Sequence, residues 1–340
     1  MKVGFVGLGR IGLMHMENLA NNADVCGVSE IVLFDPSEGR AAQAAQHAET
    51  VETTVAASVG EVLGDVDAVV VATPTPSHPE VLAECVKAGI PTLCEKPVAS
   101  DLETMRRVVD MVEEHSTPVV VGFQRRFDPA LRAIKTRIVD GTLGRIYVVR
   151  SNAYDDFPAP PEIVRQSDGI YRDLMIHDLD AVPWLVGEPV VEVGSWGSVL
   201  VDEVYAEIGD VDFATVTMRF ASGALAVMVA GRRNPAGYDH RIEVLGSRDS
   251  VIQGLGARTA IRSLEPDGPV FPDDPYQGFA DRFRSAYVAE ITEFVDIAAG
   301  RAKNPSPARD SLVSIQLAEA CDASRRRGES VAIDSVLTTG

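Results

Sequence analysis

The chain has 340 residues, 46% of them hydrophobic and 24% charged, and its 31 basic against 50 acidic side chains give a net charge of −19. That length predicts two domains, and the acidic balance argues against nucleic acid or an anionic membrane as partner, since both need a basic footprint. No apolar run approaches the ~20 residues that span a bilayer, a strand-like run starts at Lys2 where a signal peptide would lie, and the four cysteines (Cys26, Cys85, Cys94, Cys321) form no CxxC pair. A cytoplasmic protein with reduced thiols, no disulfide framework and no metal site is the expectation.

Residues 3–6 are apolar and β-prone, and they run into Gly7-Leu8-Gly9-Arg10-Ile11-Gly12 and a helical pattern through Asn21. This is GxGxxG between a strand and a helix, the context that dinucleotide binding requires. Gly7 makes the tight turn, Gly9 admits the pyrophosphate and Gly12 lets helix pack on strand, while the helix N-terminus offers N–H groups to phosphate. Residues 31–34 read as a second buried strand with Asp35 at its end. That offset suits the acid that binds the adenosine ribose, which selects NAD over NADP; a helix-capping or turn role before Pro36 is the alternative.

Helices are expected over residues 38–48 and 55–63, and a continuous apolar strand over 67–72. Strands alternating with helices predict βαβ units and a doubly wound parallel sheet. The stiff segment Thr73-Pro74-Thr75-Pro76-Ser77-His78 ends that strand where open α/β folds bind ligands, with Ser77 or His78 able to cap the helix over 80–88. A strand over 92–94 then ends in Glu95-Lys96-Pro97, for whose Lys96–Pro97 bond a cis geometry is expected. A helix over 101–114 and a strand over 119–121 complete the first domain, residues 1–122.

The second domain, residues 123–340, opens with a helix from Asp128-Pro129 to Val139 and a strand over 146–150. The polar, proline-rich stretch 151–161 is either an exposed acidic loop or a source of acceptors for a polyol, with Asn152, Asp155 and Asp156 as candidates. Asp173 and His177, spaced i,i+4, would share one helix face as a catalytic pair or a structural one. From Val190 onward the pattern is strand-rich, predicting a broad, mostly antiparallel open sheet with a hairpin turn at Ser222-Gly223. A helix is expected over 311–327.

The glycine motif, Ala72-Thr73-Pro74 with His78, and above all Cys94-Glu95-Lys96-Pro97 resemble the glucose–fructose oxidoreductase/inositol dehydrogenase/rhizopine catabolism (Gfo/Idh/MocA) oxidoreductases. Gly122-Phe123-Gln124-Arg125-Arg126-Phe127-Asp128, the stretch from Gly169 to Asp178, and Gly237-Tyr238-Asp239 carry the resemblance across the chain, and the last pieces look most like inositol dehydrogenases. The resemblance implies an α/β fold: an N-terminal Rossmann domain, then a C-terminal α+β domain with a large open sheet. It implies an NAD-dependent dehydrogenase oxidising a secondary hydroxyl of a cyclic polyol, myo-inositol first, with another inositol or a sugar as the alternative. A non-catalytic NAD-binding sensor is a third reading.

Lys96, Asp173 and His177 are then the catalytic residues. Gly7, Gly9, Arg10, Ile11, Gly12, Asp35, Thr73, Pro74, His78, Glu95 and Lys96 face the cofactor. Lys96, Arg126, Asp156, Asp173, His177, Tyr238 and Tyr287 face the substrate. Glu95 reads better as a residue that pairs with its neighbours than as a reacting acid, and Tyr287 could equally anchor its helix by its ring. The resemblance also implies a homo-oligomer, a tetramer or dimer built on paired sheets.

Overall fold

The computed structural model of the protein describes residues 1–333. They form two compact units, Met1–Phe127 with Ser285–Val313, and Asp128–Arg284 with the described residues from Ser314.

The first unit begins β1 (Lys2–Val6), α1 (Arg10–Ala20), α2 (Ala23–Cys26), β2 (Glu30–Phe34), α3 (Arg40–Ala45), β3 (Glu52–Val55) and α4 (Val59–Leu63). It continues with β4 (Ala68–Val71), α5 (His78–Lys87), β5 (Thr92–Glu95), α6 (Leu102–His115) and β6 (Val119–Gly122). The six strands form one parallel sheet in the order β3-β2-β1-β4-β5-β6. Strand order reverses at the β1/β4 boundary, the place where such sheets leave a crevice for ligands. The central strands are buried along their length, which is why they read as continuous Val, Leu and Phe runs rather than alternating ones.

The sequence pattern misjudges one region here. The helix expected over residues 55–63 is only α4, started by the Ser58 hydroxyl, which accepts the Glu61 N–H at 3.1 Å. Val55 instead ends β3, an edge strand largely open to solvent. An exposed edge strand needs no apolar run, so Glu52-Thr53-Thr54 gives no periodic signal. The helix expected over 38–48 likewise shortens to α3.

The second unit contains α7 (Pro129–Val139), β7 (Ile146–Tyr154), α8 (Pro161–Val164), α9 (Ile170–Asp173), α10 (Ile176–Val186), β8 (Val190–Ser198) and α11 (Val204–Glu207). Then follow β9 (Phe213–Phe220), β10 (Leu225–Gly231), β11 (Asp239–Gly246), β12 (Ser250–Gln253) and α12 (Phe279–Arg282). The chain continues as α13 (Arg284–Ala298), α14 (Ala308–Arg327) and β13 (Val331–Ala332). The unit's sheet has the order β12-β11-β7-β10-β9-β8-β13, with β7 parallel to β10 and the other neighbours antiparallel. Gly223 takes φ +88° in the β9–β10 turn, a left-handed conformation that favours glycine. Asp128 caps α7, its carboxylate accepting the Ala130 and Leu131 N–H groups at 2.9 and 3.0 Å. Helix α10 lies on β7 and against α7, whereas Leu225, Val227, Leu245 and Ile252 stay exposed on the sheet.

Two expectations are corrected in this unit. The polar loop placed at 151–161 starts later, because Ser151–Tyr154 continue β7 and pair with both β10 and β11. Asp173 and His177 do not share one helix: α9 ends at Asp173 and α10 starts at Ile176. The Met175 N–H bonds back to the Ile170 carbonyl at 2.8 Å, one residue beyond the α-helical partner, and this wider turn breaks the ladder between the two positions. Helix α13 packs into the core of the first unit, where Ile291, Phe294 and Val295 join Phe5, Leu19 and Ile31.

Candidate functional site

The turn after β1 has the shape its glycines predict. Gly7 adopts φ +92°, and a Cβ there would lie 2.7 Å from the Ala72–Thr73 backbone; a Cβ on Gly12 would lie 2.0 Å from the Gly7 carbonyl oxygen. A Cβ on Gly9 would meet none of the described residues within 4 Å, so the face of the turn that a pyrophosphate would approach is open. Gly9 is also the N-cap of α1, whose first turn, holding Arg10, Ile11 and Gly12, carries no acidic side chain. Asp35, just past β2, accepts the Leu8 and Ser37 N–H groups, each at 2.8 Å, and Arg40 lies 3.4 Å away. Burial works to raise the Asp35 pKa, but the Leu8 and Ser37 N–H groups outweigh it and hold the carboxyl below its usual value. A fixed, ionised acid beside the glycine turn fits a ribose diol and repels a 2′-phosphate.

At the ends of β4 and β5 two loops are tied together. His78 is buried, with Nδ1 2.8 Å from the Pro97 carbonyl and Nε2 2.7 Å from the Thr73 carbonyl. It therefore joins the Thr73-Pro74 loop to the corner after Lys96. Neither Ser77 nor His78 caps α5 through its side chain; the Ser77 hydroxyl donates to the Pro74 carbonyl. The Lys96–Pro97 peptide is cis. Glu95 turns inward, its Oε1 2.7 Å from His15 Nε2, and its Oε2 accepts the Lys96 N–H at 3.1 Å. Glu95 thus pairs with its neighbours, and His15, which the glycine motif alone did not single out, is part of the same corner.

Arg126 is buried, and its Nη1 donates to the Pro305 carbonyl at 2.9 Å and to Asp310 at 2.6 Å. Tyr287 is buried with its ring edge-on to His15, centroids 5.7 Å apart.

In the second unit Asp173 is half-exposed and forms an ion pair at 2.9 Å with Arg232, a buried residue following β10. The same guanidinium reaches Asp155 at 3.7 Å. Burial raises the Asp155 pKa to about 6, Arg232 opposing and Asp173 adding to the rise. Arg232 has no motif to announce it, since an Arg-Arg pair at a strand end reads as surface charge. Asp156 neighbours this group, and its carbonyl accepts a hydrogen bond from Arg233 at 2.5 Å. His177 is half-buried in the first turn of α10. Tyr238 is buried just before β11. A cavity of about 400 Å³ in this unit is lined by Tyr154, Arg233, Asn234, Asp239, Arg241 and Arg262, among others, and takes in neither Asp173 nor His177.

Comparison with known proteins gives consistent matches over the whole chain. Residues 1–123 match the family described as oxidoreductases with an NAD-binding Rossmann fold, and residues 131–252 match its C-terminal domain. A myo-inositol dehydrogenase of Streptomyces leeuwenhoekii is 40% identical over 331 residues, which is 96% of this chain and 98% of that protein. A scyllo-inositol 2-dehydrogenase (NAD(+)) of Bacillus subtilis is 31% identical over 336 residues, 98% of this chain and 96% of that protein. The crystal structure of a myo-inositol dehydrogenase from Corynebacterium glutamicum superposes with a TM-score of 0.87 at 32% identity, covering 98% of each chain.

Proposed function

Because the chain belongs to the GFO/IDH/MocA oxidoreductase family, we propose that it is an NAD-dependent dehydrogenase that oxidises a secondary hydroxyl of a cyclic polyol, myo-inositol first, to the ketone. The observation that carries the cofactor reading is the open Gly9 turn beside the Asp35 carboxylate. The inositol dehydrogenases among its relatives carry the substrate reading. The scyllo-inositol enzyme among them makes that isomer the second substrate to test.

Residues Gly7, Gly9, Arg10, Ile11 and Gly12 would hold the pyrophosphate, Asp35 the ribose, and Thr73, Pro74 and Lys96 the nicotinamide half, with His78 and Glu95, whose polar atoms are taken by their neighbours, bracing the two loops that present them. When bound, NAD supplies the hydride acceptor. The hydroxyl proton must leave as the hydride does, and we assign its removal to His177, since imidazole is the side chain that ordinarily titrates near neutrality. Asp173, pinned by Arg232, orients that imidazole. The Lys96 ammonium stabilises charge developing on the substrate oxygen. Arg126, Asp156, Tyr238 and Tyr287 are proposed to hold or shape the pocket for the remaining hydroxyls. The exposed apolar face of the second sheet supports a homo-oligomer, a tetramer or dimer, and the free thiols of the four cysteines suit the reducing cytoplasm.

The test of these roles is steady-state NADH formation by His177→Ala and Lys96→Met. Each should lose about 100-fold or more in turnover while His177→Ala still binds NAD⁺; wild-type turnover in His177→Ala would contradict the assignment. Light scattering on the eluting protein gives the oligomer, and a stable monomer at micromolar concentration would rule it out.

A further inference from the structure

Behind Lys96 lies a buried group two of whose members, His15 and Glu290, the proposed chemistry does not use. His15, in the middle of α1, has no exposed surface, and its Nε2 holds Glu95 Oε1 at 2.7 Å. The other Glu95 oxygen accepts the Lys96 backbone N–H. From α13, the equally buried Glu290 brings Oε2 to 4.0 Å from the same His15 nitrogen, and neither Glu290 oxygen has a hydrogen-bond partner among the described residues. Tyr287, one turn earlier on α13, closes over the imidazole. On the opposite side Gly122, the β6 partner of Glu95 in the sheet, makes the room: a Cβ there would stand 2.9 Å from the Glu95 carboxyl carbon and 3.0 Å from Oε1.

We propose that His15 and Glu290 are positioning residues for Lys96: His15 fixes the Glu95 carboxylate, Glu95 fixes the backbone of Lys96, and Glu290 seals the group as an uncharged acid. The inference rests on the reading of Lys96 as the catalytic lysine. Two ionised carboxylates and one imidazole would leave a net negative charge, or a bare carboxylate, without water. A proton on Glu290 removes that cost, and burial, then the charge of Glu95, push its pKa well up. With Glu290 neutral, the His15–Glu95 hydrogen bond is the contact that sets the carboxylate's direction. His78 anchors the far side of the corner at Pro97, so Lys96 sits between two buried histidine ties.

The donor atoms of His15, Glu95 and Glu290 lie within 4.8 Å of one another, a spacing a divalent cation could also exploit. The 2.7 Å separation of Nε2 and Oε1 is that of a hydrogen bond. Ligands around a tetrahedral metal at about 2.1 Å stand about 3.4 Å apart, so the geometry favours a proton over a metal.

Four variants test this: His15→Leu, His15→Gln, Glu290→Gln and Gly122→Ala, with Lys96→Met as the marker. His15→Leu fills the space without a donor and should lower kcat about tenfold or more, as small misplacements of reacting groups do, with KM for NAD⁺ and the thermal midpoint near wild type. His15→Gln, whose amide can donate to Glu95, should recover at least about a third of kcat, a rescue that a purely packing role would not give. Glu290→Gln mimics the protonated acid and should stay within about threefold of wild type. If His15→Leu does not fold, Gly122→Ala displaces Glu95 from the other side and should show the same fall in kcat. Wild-type kcat in His15→Leu or Gly122→Ala, a tenfold loss in Glu290→Gln, or a stoichiometric divalent metal that His15→Leu abolishes would each overturn the inference. Lys96→Met with wild-type kcat would overturn the catalytic reading and this inference together, whereas an inactive Lys96→Met beside a fully active His15→Leu would overturn this inference alone.

Discussion

Replacing Arg232 by Met should destabilise the second unit strongly at pH 8 and weakly at pH 6. Arg232 is buried and faces Asp173 at 2.9 Å and Asp155 at 3.7 Å. Methionine fills much of the space, so the loss is electrostatic. Asp173 is 46% exposed, and water screens its share to about 1 kcal/mol or less. Asp155 is only a quarter exposed, and without the guanidinium it takes up a proton rather than stay charged. Protonating at pH 8 a group whose pKa is about 6 costs about 3 kcal/mol, and at pH 6, where it is half-protonated already, about 0.4 kcal/mol.

The sign follows from linkage. The native pKa of Asp155 lies above its ordinary 3.8, so its contribution is fully present below about pH 4 and is lost as pH rises through about 6. In the variant that loss continues to higher pH. Both tryptophans, Trp184 and Trp196, belong to the second unit, so their fluorescence during urea unfolding reads this unit at the two pH values. A penalty equal at pH 6 and pH 8, or one below about 1 kcal/mol at pH 8, would refute the reasoning.

Three further outcomes are expected. Gly12→Ala places a methyl 2.0 Å from the Gly7 carbonyl oxygen, so it should cost about 3 kcal/mol or more and abolish NAD⁺ binding measured by fluorescence titration; a variant that binds NAD⁺ normally would show the turn to be pliable. Asp35→Ser removes the acid while leaving Arg40 beside the site, and the NADP⁺/NAD⁺ ratio of kcat/KM should rise at least about tenfold; an unchanged ratio would detach Asp35 from the ribose. Asp128→Ala removes the cap of α7 and should cost about 1–2 kcal/mol in urea unfolding without altering NAD⁺ affinity; a loss of affinity would mean that Asp128 does more than cap.

Much of this molecule is legible from local pattern. The first sheet announces itself because strands covered on both faces must be apolar throughout, as residues 68–71 and 119–121 are, and because Gly7 and Gly12 answer to a steric demand that no other residue meets. The hairpin turn expected at Ser222-Gly223 does separate β9 from β10, because a left-handed backbone there favours glycine. What escapes the pattern depends on distant partners. Strand β3 is an exposed edge that needs no apolar face. The break between Asp173 and His177 comes from a backbone hydrogen bond to Ile170, which spacing cannot reveal. Ser151–Tyr154 look like loop because the stretch opens on polar residues, yet the Ser151 hydroxyl is buried and donates to Asp178 of α10. Arg232 and the His15–Glu95–Glu290 group are assembled from segments between 80 and 275 residues apart or from a strand end without a motif, and only the folded chain brings them together.

The most direct test of the account is the initial rate of NADH formation when the purified protein is given NAD⁺ with each of a panel of cyclic polyols. Turnover with myo-inositol is expected, with the highest kcat/KM on the panel falling to an inositol and a much slower rate when NADP⁺ replaces NAD⁺. Tight NAD⁺ binding with no NADH formed from any inositol or sugar would contradict it, leaving a nucleotide-binding protein without the dehydrogenase chemistry assigned to Lys96, Asp173 and His177.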